Sequence, residues 1–187
     1  MTNLPNLLTL SRMGLTLLLV FLLLQPWPWA KAAALAVFVV AALTDLWDGR
    51  IARRRGLISK FGVLMDPIAD KVLVLGSFAV FVKLGIMPVW MMALIAGREI
   101  LITGLRLGAL GRGSVLPAET AGKWKAALQM TTIAVALLFL VARELFAAGW
   151  WIVRVELVLE GLIFLTLLVT LASGLSFLWR NRKRIFG

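Results

Sequence analysis

Four aspartates stand together in this chain. Asp45, Asp48, Asp66 and Asp70 fall within 26 residues and are the only aspartates of 187, while the five glutamates are scattered from Glu99 onward. Asp45 and Asp48 are three apart and Asp66 and Asp70 four apart, so each pair lies on one face of a helix. A short turn around Gly56 separates the two segments. They are expected to run antiparallel as neighbours and to bring four carboxylates into one pocket. Four bare carboxylates at such range cannot all stay ionised without opposite charge. Lys71 and Arg53 supply part of it, and one or two divalent cations would supply it more completely.

The chain contains no histidine, cysteine or tyrosine. This removes thiol nucleophiles, imidazole bases, disulfides and Cys/His zinc sites, and leaves acid–base chemistry to Asp, Glu or Lys. A pocket of oxygen ligands alone suits the hard cations Mg²⁺, Mn²⁺ or Ca²⁺. Gly49, after Asp48, and Gly62, four before Asp66, would let a ligand or another backbone come close. Pro67 removes one backbone donor and is expected to kink its helix. The plain alternative is a set of interfacial acids paired with neighbouring Arg and Lys.

The elements that must position this pocket are membrane helices. Hydrophobic residues make up 61% of the chain, charged residues 16%, and the mean hydropathy is +0.97, which excludes an ordinary soluble domain. A hydrocarbon core about 30 Å thick needs roughly 17 to 25 apolar residues per helical crossing. Six segments qualify: Leu7–Gln25, Ala32–Ile51, Phe61–Val82, Pro88–Gly108, Lys123–Val141 and Ile152–Trp179. The expected fold is all-α, a polytopic integral membrane protein with six transmembrane helices and a short N-terminal interfacial segment over residues 3–11. The short connections make residues 1–187 one domain. A cleavable signal peptide is the competing reading of the first segment.

The net charge is +11, from 20 Lys and Arg against 9 Asp and Glu. Most of the basic residues fall on the side of Arg53-Arg54-Arg55, including Arg12, Lys60, Arg106, Arg112, Lys123, Lys125 and the run Arg180–Arg184. Lys31, Lys83, Arg143 and Arg154 fall on the other. The positive-inside rule then puts both termini and the aspartates at the cytoplasmic face, and Trp27, Trp29, Trp90, Trp150 and Trp151 near the outer one. Asp45 lies eight residues before the basic run, about 12 Å at helical rise, and ionisable groups at that depth are functional candidates. Glu156 and Glu160, beside Arg154, read as interfacial. A nucleic-acid partner is not expected of so apolar a chain.

Asp45-x-x-Asp48-Gly49-x-x-Ala52-Arg53, eight residues, then Gly62-x-x-x-Asp66-x-x-x-Asp70 resembles in full the signature of the CDP-alcohol phosphotransferase family. Eight specified residues fall at fixed spacings over 26 positions. Most of the chain is also similar to the bacterial branch that makes phosphatidylglycerophosphate: Leu4-Pro5-Asn6-Leu7-Leu8-Thr9-Leu10-Ser11-Arg12, Asp66-Pro67-Ile68-Ala69-Asp70-Lys71, Arg98-Glu99-Ile100 with Arg106, and Gly122-Lys123-Trp124-Lys125. Ala126 departs from that branch, which often carries Thr there, and this bears on the acceptor alone.

The resemblance implies an enzyme of the bacterial cytoplasmic membrane, working with Mg²⁺ or Mn²⁺ and as a homodimer. Asp45, Asp48, Asp66 and Asp70 would hold one or two ions against the pyrophosphate of CDP-diacylglycerol. Gly49, Gly62 and Arg53 would contact the CDP-lipid, and Asp70 would be the general base toward the hydroxyl of glycerol 3-phosphate. The acceptor is a small dianion, and Arg98, Arg106, Lys123 and Lys125 are the cations available to it on the fourth and fifth helices. Each is equally readable as a topology anchor, and Arg98, lying deeper, as a partner of Glu99. Within the family another alcohol, such as inositol phosphate, serine or phosphatidylglycerol, is the rival acceptor. A divalent-cation transporter is the rival class, but such sites usually sit at mid-membrane between repeated halves, and no repeat is visible here.

Overall fold

The structure is a computed structural model that describes the backbone of residues 4–27, 29–55, 60–111, 120–146, 149 and 151–186, and the side chains of residues 10–27, 29–44, 68–111, 122–146, 149 and 151–182. Six helices follow one another, and no strand occurs among the described residues: α1 Leu4–Leu24, α2 Ala30–Arg55, α3 Lys60–Lys83, α4 Val89–Gly111, α5 Thr120–Leu145 and α6 Trp151–Phe186. All six expected segments are helical. Residues 4–11 are the first turns of α1, which runs without a break into the apolar run. α3 likewise continues through Pro67.

By length and composition two stretches among the described residues are apolar enough to cross a bilayer, Gly122–Leu145 and Trp151–Arg182. α6 shows why. Leu159, Ile163, Thr166, Thr170, Ser173, Phe177 and Asn181 form a buried stripe at helical spacing, while Leu157, Val158, Phe164, Leu165, Leu168 and Leu175 are exposed. A helix that leaves large apolar side chains exposed along its length has its place in lipid. α4 carries Arg98, Glu99 and Arg106 within its 23 residues, and these charges lower its apolar character.

The chain divides into two compact units. One comprises Met1–Val80 and Ile133–Ile152, the other Phe81–Thr132 and Val153–Gly187. In the first, α1 packs on α2. The buried face of α2 is small, with Ala30, Ala34 and Ala41 around Phe38, so the backbones approach closely. Lys31 is buried and donates to the carbonyls of Leu23 at 2.9 Å and Gln25 at 2.8 Å, capping the end of α1. A lysine that composition assigns to topology thus closes a helix. α1 also meets α3: a Cβ at Gly76 would lie 3.4 Å from Val20 and 3.6 Å from Thr16.

In the second unit the turn after α3 is closed by Gly85, at φ +73°. Gly85 N–H donates to Val82 O and Ile86 N–H to Phe81 O, the paired bonds of a Schellman cap, and the left-handed backbone there favours glycine. α5 and α6 are joined by hydroxyls, with Thr132 and Thr166 Oγ1 atoms 2.7 Å apart. Such bonds hold helices together where lipid supplies no hydrophobic drive.

Candidate active site

The aspartate motif falls on α2 and α3. Asp45, Asp48, Gly49 and Arg53 occupy the last turns of α2, and Gly62 and Asp66 the first turns of α3. Their side chains lie outside the described residues. The helical backbone preserves the i, i+3 and i, i+4 spacing that puts each acidic pair on one face.

Asp70 is described. It follows the fully buried Ala69, and its own side chain is 55% exposed. Arg12 of α1 approaches it, with Nη1 donating to Asp70 Oδ1 at 2.8 Å, while the arginine side chain is only 5% exposed. Thr16 Oγ1 donates to the carbonyl of Arg12 at 2.9 Å within the same helix. The result is an accessible carboxylate oriented by a buried guanidinium. Sequence reasoning gave Arg12 to topology and missed this contact. Its signal was a lone cation on the same buried stripe as Thr16, Leu19 and Leu23.

The acceptor candidates divide. In the second unit Glu99, 1% exposed, sits on the buried stripe of α4 between Ile95 and Ile102. Lys125 Nζ of α5 donates to Glu99 Oε1, Arg98 Nη1 reaches the same oxygen at 3.1 Å, and Gln129 Nε2 lies at 3.4 Å from it. Arg98 Nη2 also donates to Ser173 Oγ of α6 at 2.9 Å. The structure therefore brings together Arg98 and Lys125, and realises the partnership of Arg98 with Glu99. Arg106 stands apart from these contacts, its guanidinium 5.0 Å from the centre of the Phe177 ring, and Lys123 is exposed. Glu99, Gln129 and Ser173 were absent from the expected site. Composition gives no sign that a glutamate will be buried, although its place one residue after Arg98 was a clue.

Ion pairs with a buried cation between helices, in an all-helical chain with two stretches apolar enough to cross a bilayer, are the features of a membrane-bound helical protein. Comparison with known proteins supplies the rest. The model of the family described as CDP-alcohol phosphatidyltransferase matches residues 2–177, and the chain belongs to that family. It is 35% identical over 150 residues to a CDP-diacylglycerol–glycerol-3-phosphate 3-phosphatidyltransferase of Bacillus subtilis, covering 74% of this chain and 78% of that one. It is 34% identical over 184 residues to the protein of the same name from Rickettsia bellii, covering 97% and 96%. A probable phosphatidylglycerophosphate synthase of Mycobacterium tuberculosis is 39% identical over 134 residues, 70% of this chain and 64% of that one.

Proposed function

We propose that the chain transfers the phosphatidyl group of CDP-diacylglycerol to glycerol 3-phosphate, giving phosphatidylglycerophosphate and CMP. The observation that carries the reading is the whole aspartate signature at the adjoining ends of α2 and α3, in a chain whose relatives bear the name of that reaction. The family assignment favours a transferase over a cation transporter.

In the reaction, the primary hydroxyl oxygen of glycerol 3-phosphate forms a bond to the phosphorus of the phosphatidyl group. The bond from that phosphorus to the oxygen of CMP breaks, and CMP leaves. Asp70 is the proposed general base that takes the hydroxyl proton, and Arg12 holds its carboxylate in place through the 2.8 Å bond. Arg53, with Gly49 and Gly62, is proposed to admit and hold the CDP-lipid. Arg98 and Lys125, with Arg106 and Lys123 nearer the ends of their helices, are proposed to attract the phosphate of the acceptor.

The donor set fits a hard divalent cation: four carboxylates at helical spacing, with neither histidine nor cysteine in the chain to compete. Asp45, Asp48, Asp66 and Asp70 would hold it. Bound there, Mg²⁺ or Mn²⁺ supplies positive charge to the pyrophosphate oxygens of the donor. We further read the six helices as six membrane spans of one domain, with both termini and the aspartates at the cytoplasmic face of the bacterial inner membrane, and the active form as a homodimer.

The deciding experiment gives purified protein CDP-diacylglycerol, Mg²⁺ or Mn²⁺ and a panel of acceptors. CMP release that depends on glycerol 3-phosphate is expected. Release that is indifferent to it, or that follows serine or inositol phosphate, overturns the acceptor.

A further inference from the structure

We propose that Glu99 is a positioning residue, which fixes the head groups of Lys125 and Arg98 so that together they receive the phosphate of the acceptor. The proposal rests on the functional reading above and deepens it. Glu99 is ten residues beyond the start of α4 and twelve before its end, in the middle of a helix with apolar neighbours. A carboxylate there is costly, and an ion pair in such surroundings is a poor source of stability, since apolar side chains of the same size often serve as well. Charges kept at that depth are better accounted for by a charged ligand.

The geometry shows how Glu99 would act. Lysine and arginine side chains each give up rotamer freedom before they can hold an anion in one place. One oxygen of Glu99 accepts from both of them, so a single carboxylate sets the position of two cations carried by different helices. Arg98 is fixed at a second point by Ser173 Oγ. Its stem is fixed as well: a Cβ at Gly174 would stand 2.9 Å from Arg98 Cγ and 3.0 Å from Nε, so glycine leaves the notch in which the arginine lies. Gln129, reaching toward both Glu99 and Thr170 at 3.4 Å, borders the same cluster. Lys125 is five residues into α5, so it spans from near the end of that helix to the middle of α4.

The test uses the full chain in lipid nanodiscs, with initial rates of CMP release measured while each substrate is varied. Variants are Glu99→Gln, Glu99→Asp, Lys125→Gln, the double Glu99→Gln/Lys125→Gln, and Ser173→Ala. The KM for glycerol 3-phosphate is expected to rise about tenfold in Glu99→Gln, with the KM for CDP-diacylglycerol within about twofold of the parent. Glu99→Asp should recover part of the loss, and the double variant should be little worse than Lys125→Gln alone. Ser173→Ala leaves the ionic cluster intact and should raise the same KM about threefold, which keeps the test open where Glu99→Gln does not fold. An unchanged KM for glycerol 3-phosphate in a folded Glu99→Gln protein overturns the proposal. So do parallel losses toward both substrates that follow the folded fraction, because Glu99 is then structural only; if Glu99→Gln does not fold, an unchanged KM in Ser173→Ala overturns it. If the parent releases CMP without needing glycerol 3-phosphate, it is the functional reading that fails.

Discussion

Asp70 has to be open to a substrate and yet held in one orientation, and its surroundings meet both conditions: the carboxylate is exposed, while the guanidinium that grips it is buried. Under the proposed mechanism, Asp70→Asn should lower turnover by about 10² or more while donor binding persists, because the base is lost and most of the metal set is retained. Steady-state rates beside CDP-diacylglycerol binding would check this. Asp45→Ala should instead weaken donor binding and raise the Mg²⁺ concentration needed for half-maximal rate. Arg12→Gln should cut kcat about tenfold with little change in the KM for glycerol 3-phosphate, since it acts through Asp70. The aspartates could be found in the sequence because fixed spacing on a helix fixes a shared face. Arg12, and the link of Glu99 to Lys125, could not, because those partners are 58 and 26 residues away and depend on how helices pack.

Helices were legible for a different reason: apolar runs of membrane-spanning length leave few alternatives. Their ends were less so. α2 and α5 each extend past the expected segment at both ends, and α6 carries on through the basic stretch after Trp179, because polar residues at a helix end still satisfy backbone bonds by continuing it. The connections follow local chemistry, as at Gly85. Gly85→Ala should destabilise the folded protein by about 1 kcal/mol, seen as a lower midpoint of thermal unfolding in detergent, because it puts a Cβ where the backbone is left-handed. Gly174→Ala tests a contact between helices. A methyl group in the Arg98 notch should push the guanidinium off Ser173 and depress activity at low glycerol 3-phosphate more than at saturation.

At the scale of the whole molecule, the absence of cysteine is an experimental convenience as well as a chemical restriction. Single cysteines introduced at Leu84, between α3 and α4, and at Gly113, between α4 and α5, would be the only thiols present. On the six-span reading a membrane-impermeant maleimide should label position 84 in intact cells and position 113 only after permeabilisation. Labelling of both from outside would overturn the orientation.

The length of α6 carries one more consequence. At 36 residues it measures about 54 Å, well beyond a hydrocarbon layer of about 30 Å, so on the six-span reading its last turns form a rod that continues out of the apolar layer. Positions 180, 182, 183 and 184 all fall on this rod, and at about 100° per residue 180 and 184 share one face of the helix while 182 and 183 fall on two others. The four positions therefore spread over a little more than half of the circumference, a band wider than a single stripe. A band of four cations still resists sliding into lipid when one is removed, so loss of any one of them should be tolerated and loss of all four should not.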